Sequence, residues 1–312
     1  MEKVDVIIPT YKPDKKFLQL IGMLQKQTVP VQHIIVMNTE QKYFDRLTFR
    51  SRFPDMGSKL IVKHLSKREF DHGRTRNLGV CYSDADIFIM MTDDAVPADE
   101  YLIESLLSGL SGENVAVSYA RQLACEEDSE AEKFTRNFNY PDKACIKTAK
   151  DIGRLGIKTY FCSNVCAAYK RDIFNTLGGF IKRTIFNEDM IYAALAIKAG
   201  YGIAYAPQAR VYHSHRYGSL EQFKRNFDLG VSQRDHPEVF ADVPSESEGI
   251  RLVKKTILHL WQEKMMGQIP GVVIQSAFKY LGYQAGKHYR MLPEGLIMRF
   301  TSNKEYWLKR KS

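Results

Sequence analysis

Four short stretches of this 312-residue chain set chemically capable side chains next to one another. Asp93-Asp94 follows an apolar run, residues 86–91. Two carboxylates at the end of a buried strand cost free energy unless a cation offsets them. A hard divalent ion, Mg²⁺ or Mn²⁺, does so with one or two carboxylates and fills its shell with phosphate oxygens. An Asp here equally suits the N-cap of a segment starting near Pro97, so both readings stay open. Residues 70–79 (FDHGRTRNLG) put Arg74, Arg76 and Asn77 at a helix start. Free N–H groups and guanidinium groups there attract phosphate, although a capped helix with surface arginines has the same spelling. Glu188-Asp189 opens an amphipathic helix after Asn187. Acids at that position complement the helix dipole, and an Asp there is also placed to act as a general base. Finally, VYHSH puts His213 and His215 on one side of an extended segment. They are donors suited to a divalent transition metal, or ordinary structural histidines.

The elements that must carry these residues alternate. Residues 4–8 read as a strand closed by Pro9. Residues 14–27 place Phe17, Leu20, Ile21 and Leu24 at helical spacing and stop before Pro30. Strands are predicted at 33–37, 60–64 and 86–91, and helices at 74–82 and 101–110. This alternation predicts an α/β fold, a mostly parallel sheet flanked by helices on both faces. Ligands of such sheets bind outside the carboxyl ends of the strands. Thr10-Tyr11, Asn38 to Glu40, residues 71–77 and Asp93-Asp94 all fall there. Residues 113–180 are less regular, and the charged stretch 125–150 reads as an insertion or exposed lobe. A helix is predicted over 186–200, then short strands or loop edges at 201–206 and 209–213. Beyond Arg216 the pattern is helical. Val253, Ile257, Leu260 and Trp261 form one apolar stripe; Ile274, Phe278, Leu281 and Ala285 form another.

Composition narrows the class. With 44% apolar and 26% charged residues the chain is globular, with core enough to fold without disulfide or metal staples. Its length fits two units, or one large α/β domain with an appendage. No apolar run approaches the ~20 residues of a membrane span. A strand beginning at Val4 leaves no room for a signal peptide. The five cysteines show no metal-type pairing, and Cys162 and Cys166 read as core packing. A cytoplasmic protein is therefore expected. The net charge of +9 is uneven: 29 basic and 26 acidic residues precede Arg216, but 16 and 10 make up the rest. A basic surplus marks a solvated face or a surface for something anionic, lipid or nucleic acid. No nucleic-acid motif or aromatic platform accompanies it, so nucleic acid is not expected as a partner. A dehydrogenase would need the Gly-x-Gly-x-x-Gly fingerprint, and a nucleotidyltransferase a glycine- and lysine-rich loop after the first strand. That position reads Pro9-Thr10-Tyr11-Lys12-Pro13.

Taken in order, VDVIIPTYKP, LQKQTVP, HGRTRNLG, TDDAVPAD, SNVCAAYKRDIFNTLGGF, NEDMIYAALAIKAGY and VYHSH resemble family 2 of the glycosyltransferases, with the GT-A fold, over residues 3–216. FDHGRTRNLG and the HSHRYGSLEQFKRNFDLG region are most like bacterial rhamnosyltransferases of cell-surface polysaccharide synthesis. The resemblance implies a catalytic domain at 1–216 and a helical region at 217–312. It implies inverting, metal-dependent transfer of a sugar from a nucleotide-diphosphate donor, best matched by dTDP-L-rhamnose, to a glycan or polyprenyl-linked acceptor. Thr10 and Tyr11 would border the nucleotide, and Arg76 and Asn77 would reach it or its phosphates. Glu40 stands where the family has an acid reading the base, with Asn38-Thr39-Glu40 replacing the usual Asp-x-x-Ser. Asp94 would bind the metal with His213 or His215, and Asp93 would lie nearer the ribose or sugar. Asp189 matches the catalytic base, preceded by Glu188. Asn164 and the Gly178-Gly179 turn would shape the sugar and acceptor pocket. The basic helices beyond Arg216 suit peripheral contact with the inner face of the plasma membrane, packing on the catalytic domain, or a homodimer.

Overall fold

The computed structural model describes residues 2–310 apart from 48, 216, 242, 244 and 245. Arg216, the expected end of the catalytic unit, thus lies outside the described residues. Parallel strands buried on both faces need continuous apolar runs, and the first strands have them. β1 (Val4–Tyr11), β2 (Ile34–Thr39), β3 (Leu60–Leu65) and β4 (Ile87–Met91) pair in parallel in the order β3-β2-β1-β4. Helices α1 (Lys15–Leu24) and α2 (His72–Cys81) make two of the crossovers. The Asp14 carboxylate caps α1 by accepting from the Lys16 N–H, and Asp71 caps α2 through the N–H groups of Gly73 and Arg74.

The sheet then changes direction. Short β5 (Val96–Pro97), helix α3 (Leu102–Gly109), β6 (Val115–Leu123), helix α4 (Glu130–Asn139), β7 (Cys145–Lys147) and β8 (Cys166–Lys170) follow in the chain. Next come α5 (Arg171–Thr176), α6 (Glu188–Lys198) and β9 (Gly202–Tyr212). The full order is β3-β2-β1-β4-β8-β6-β9-β5, with β7 on β9. β8 runs antiparallel between β4 and β6, so four pairings are parallel and four antiparallel. The sheet is mixed, its parallel character concentrated in the first half.

The stretch expected to be irregular, 113–180, supplies two central strands, β6 and β8. Alanine-rich Cys166–Lys170 is buried because Ala167 and Ala168 leave room for large neighbours on either side, Phe88 stacking on Tyr169 among them. One strand, Gly202–Tyr212, runs through both of the short segments read from the sequence; Pro207 interrupts the apolar pattern, and a register shift opposite Ala120/Arg121 accommodates it. One core packs α1 and α3 on Ile8 and Ile89, the other packs α2, α5 and α6 on Ile7, Phe88 and Tyr169.

This topology positions a site. β4, β6 and β9 point the same way and β8 points back. The loop before β8 therefore lies beside the carboxyl end of β4 (Met91 opposite Cys166), and the ends of β6 and β9 meet next to it (Leu123 opposite Tyr212).

Beyond Arg216 lie α7 (Ser219–Asp235), α8 (Glu246–Gln262), α9 (Ile269–Lys287), α10 (Glu294–Phe300) and α11 (Lys304–Lys309). α7 and α9 approach closely: a Cβ on Gly282 or Gly286 would lie 2.2 Å from the Phe223 carbonyl oxygen or 2.1 Å from that of Phe227. Phe227, Val231, Tyr289, Ile297 and Trp307 pack with Ile185, and α8 touches α4 through His259 and Glu130, 3.0 Å apart. Of the two apolar stripes read from the sequence, Leu260 is buried, whereas Trp261, Ile274, Phe278 and Leu281 face solvent.

Candidate active site

The strand ends, the start of α6 and helices α7 and α9 enclose a cleft of about 920 Å³. Its floor holds the α6 terminus. Asn187 takes a left-handed conformation (φ +66°) that turns the chain into the helix and buries Glu188. Asp189 accepts from the N–H of Asn164 at 3.0 Å and of Met190 at 2.8 Å. Glu188 meets Arg76 Nη1 and Asn164 Nδ2, each at 3.1 Å. Tyr169 Oη donates to Asn164 Oδ1 at 2.6 Å and fixes that amide's orientation. The two acids diverge electrostatically. Burial, then the Glu188 charge, lifts Asp189 to about 7. Burial also acts on Glu188, but Arg76, His72 and Asn164 outweigh it and lower its pKa. Asp189 is thereby a carboxyl group tuned near neutral pH, as a general base requires.

Opposite stands a cluster at the ends of β4 and β9. His215 Nε2 lies 3.0 Å from Asp94 Oδ2 and 3.0 Å from His213 Nε2, and His213 Nε2 lies 3.5 Å from Asp94 Oδ1. Gln122 sets the tautomer of His213. Its amide nitrogen faces Tyr140 Oη and Ser163 Oγ, and its oxygen accepts from Arg136, so His213 Nδ1–H donates to that oxygen at 3.0 Å. The Nε2 lone pair is left aimed at Asp94 and His215. Burial, aided by His215, Arg136 and Lys16, pushes His213 down to about 3, so it is neutral at pH 7. One carboxylate and two imidazoles converge within 4.8 Å with donor atoms that suit a divalent cation. A second group this close, Asp5, His33 and Asp84, sits at the other end of the strands. There Asp5 is already engaged by the His33 N–H and Ser83.

Asp93 bridges the cluster and the rim, accepting from the Tyr11 N–H at 3.3 Å. Burial and the neighbouring Asp94 raise it to about 7. Burial and the cations Arg225, Lys16 and Arg136, outweighing the opposing pull of Asp94, lower the pKa of His215. A ring of positive charge so close to an acid cluster suits a multiply charged anion bound with a metal. Among the described residues, buried Arg76 Nε, Thr92 Oγ1 and Asn187 Nδ2 have no hydrogen-bond partner, and all three residues line the cleft.

The profile of glycosyl transferase family 2 matches residues 5–178, more than half of the chain. The chain belongs to glycosyl transferase family 2. As a glycosyltransferase it has close relatives in two O-antigen chain rhamnosyltransferases, RfbN of Salmonella typhimurium and WbaN of Salmonella anatum. RfbN is 36% identical over 98% of this chain and 96% of its own length. WbaN is 36% identical, with the same two coverages. The fold is shared with solved structures. The mannosyltransferase PcManGT of Pyrobaculum calidifontis, in complex with GDP-Man and Mn²⁺, superposes with a TM-score of 0.56 at 14% identity, over 99% of this chain and 87% of its own. TarS (residues 1–349) of S. aureus, in complex with UDP-GlcNAc, does so with 0.50 at 15%, over 93% and 92%.

Within this glycosyltransferase the sequence-assigned residues divide. Tyr11, Arg76, Asp93, Asp94, Asn164, Glu188, Asp189, His213 and His215 line one cleft. Thr10 is buried behind it, bonded to Asn38 Oδ1 at 3.0 Å. Glu40 stands outside the wall, where it accepts from the Lys67 N–H at 3.0 Å. Asn77 also stands apart, because both ends of its amide grip the Phe180 backbone, at 2.8 and 3.0 Å. It clamps the Gly178-Gly179 turn, where φ values of +81° and +75° require glycine. Gln122, Arg136, Gln222, Arg225 and Lys279 line the cleft without having been singled out from sequence. The basic character of 217–312 hinted at the last two, and Gln222 and Arg225 lie within the HSHRYGSLEQFKRNFDLG region that carries the resemblance.

Proposed function

We propose that this enzyme transfers L-rhamnose, with inversion, from dTDP-L-rhamnose to a hydroxyl of a growing cell-surface glycan. The rhamnosyl part draws on the near-full-length similarity to two O-antigen chain rhamnosyltransferases. The chemistry rests on one observation: Asp189, lifted to about 7, faces the same cleft as the Asp94-His213-His215 cluster. Asp189 accepts the acceptor hydroxyl proton as that oxygen attacks the anomeric carbon. The bond to the diphosphate breaks on the opposite face, and its electron pair stays with the leaving phosphate oxygen. Such general-base help is worth about 10²–10⁴-fold. Asp94, His213 and His215 would hold Mn²⁺ or Mg²⁺, the imidazoles favouring Mn²⁺; when bound, the ion offsets charge on the leaving diphosphate. Lys16, Arg136 and Arg225 surround the same position and share that task. Tyr11 borders the nucleotide side with Thr10 buried behind it, Asp93 borders the ribose or sugar, and Asn164 the sugar and acceptor.

The catalytic unit spans 1–216, and the helices of 217–312 complete its cleft through Gln222, Arg225 and Lys279. The acceptor is a glycan on a polyprenyl carrier, and the enzyme works in the cytoplasm at the inner face of the plasma membrane. Incubating the purified protein with dTDP-L-rhamnose, other nucleotide sugars and a glycan acceptor, and measuring released nucleoside diphosphate, tests the reading. Equal or greater turnover with another sugar would refute the donor assignment, and pyrophosphate release would place the enzyme among nucleotidyltransferases instead.

A further inference from the structure

Helix α9 has two working faces. Lys279 lines the cleft, and Gly282 and Gly286 seat the helix on α7. The residues on either side of Lys279, Phe278 and Tyr280, are exposed, as are Pro270, Val273, Ile274 and Leu281. At 100° per residue these six fall on one arc of the helix, and no charged residue lies within it. Ile274, Tyr280 and Leu281 are each more than half exposed. The turn that enters α9 continues the surface with Met265 and Met266, and Trp261 precedes it at 63% exposure. A contiguous apolar face of this kind marks an interaction surface.

Charge decides what covers it. Residues 254–291 carry six basic side chains and one acid, Glu263; Lys279 faces the cleft and Arg290 pairs with Asp235 at 3.3 Å, which leaves Lys254, Lys255, Lys264 and Lys287. On α8, Lys254 shares its exposed face with Ile250, Leu258 and Trp261. A two-fold contact between copies sets the same patch against itself, so one predominantly basic margin would face another. An anionic bilayer offers the complement: acyl chains for the stripe and headgroups for the cations. Trp261 and Tyr280 are the residue types that settle at that boundary. No helix among the described residues is long and apolar enough to cross a membrane, so contact would lie along the surface.

We infer that the exposed face of α9, with the Trp261–Met266 turn, docks on an anionic lipid surface, with the cleft on the opposite, Lys279 side of the helix. Such docking serves a lipid-linked acceptor, and to that extent it rests on the function proposed above. The test is co-sedimentation of the full chain with vesicles of phosphatidylglycerol and phosphatidylethanolamine, against phosphatidylcholine alone. The wild type should pellet with the anionic vesicles, and Ile274→Asp/Leu281→Asp should reduce the bound fraction at least tenfold. Both proteins should keep the same thermal midpoint and the same turnover on a water-soluble acceptor. Trp261 emission in the otherwise unaltered chain should shift to the blue on anionic vesicles and lose the shift in Trp261→Phe, a readout independent of the aspartate variant's folding. A wild type that stays in the supernatant, or a variant that binds as well, overturns the inference. So does light scattering that shows a dimer converted by the variant to a monomer, which would make a second copy the occupant. Vesicle binding without sugar transfer supports the surface and removes the proposed function; transfer without vesicle binding does the reverse.

Discussion

Glu188 and Asp189 are neighbours on one buried helix end, yet their surroundings drive their proton affinities apart: Glu188 is lowered by Arg76, and Asp189 is lifted to about 7 by burial and by Glu188 itself. One carboxylate is thus locked as a charge and the other is left to exchange a proton. Asn164 joins both, its backbone donating to Asp189 and its side chain to Glu188.

Turnover under saturating substrates should therefore rise with pH through about 7, because only ionised Asp189 accepts a proton. Asp189→Asn should fold and bind donor but lose turnover by ~10²-fold or more. Stability moves the other way. The folded protein holds this proton up to about 7, while an unfolded Asp releases it near ~3.9. The group's contribution to stability therefore falls as pH rises across that window and is flat above it. Asn does not ionise, so the variant's thermal midpoint should exceed that of the wild type, by more at pH 8 than at pH 5. A gain of ~1 kcal/mol moves the midpoint of a chain this size by roughly 2 °C. Near wild-type turnover in the variant would remove Asp189 as the base.

Arg76 and Glu188 test the buried charge pair. Their side chains are 8% and 6% exposed and stand 3.1 Å apart. Arg76→Met leaves Glu188 charged and buried with the Asn164 amide and His72 as its remaining support, at a cost of ~3–5 kcal/mol. Adding Glu188→Gln should recover most of that loss in urea unfolding. A double variant as unstable as the two single losses combined would show that the residues act independently.

Metal affinity should depend on a residue that does not touch the metal. Gln122 orients His213 through Nδ1 and is itself fixed by Arg136 and Ser163. Such outer partners are typically worth 10–100-fold in affinity. Gln122→Leu should weaken Mn²⁺ binding by about that factor in calorimetric titration, and a chelator should stop turnover by the wild type. Full activity in chelator, or unchanged titration in the variant, would count against the cluster as a metal site.

What could be read from the sequence follows from how local the signals are. β4 is an unbroken apolar run, β1 and β2 are built on short ones (VIIP and IIVM), and Asp14 and Asp71 cap helices within three residues, so these elements were legible. β8 was not, because CAAYK is too short and too alanine-rich to advertise a strand and owes its place to β4 and β6. The same contrast runs through the site. Asp93, Asp94, Asp189 and the histidines fall at element ends, where chemistry is easily suspected. Gln122 and Arg136 lie inside a strand and a helix and become site residues only when β6 and β9 pair. Lys279 reaches the cleft only because glycines let α9 close on α7.

Asn77 separates a motif from its geometry. Family resemblance assigns it to the donor, but its amide is spent in both directions on Phe180, holding a turn whose two glycines have positive φ. Removing two partly buried hydrogen bonds and leaving the Phe180 groups unpaired costs about 1–3 kcal/mol. Asn77→Ala should therefore lower the unfolding midpoint while the donor KM of the folded enzyme stays within ~2-fold. Arg225→Ala is the counterpart: its guanidinium lines the cleft and helps lower the pKa of His215, so its loss should raise the donor KM with little change in stability. A ten-fold rise in donor KM for Asn77→Ala at an unchanged midpoint would return Asn77 to the nucleotide and assign the turn to other supports.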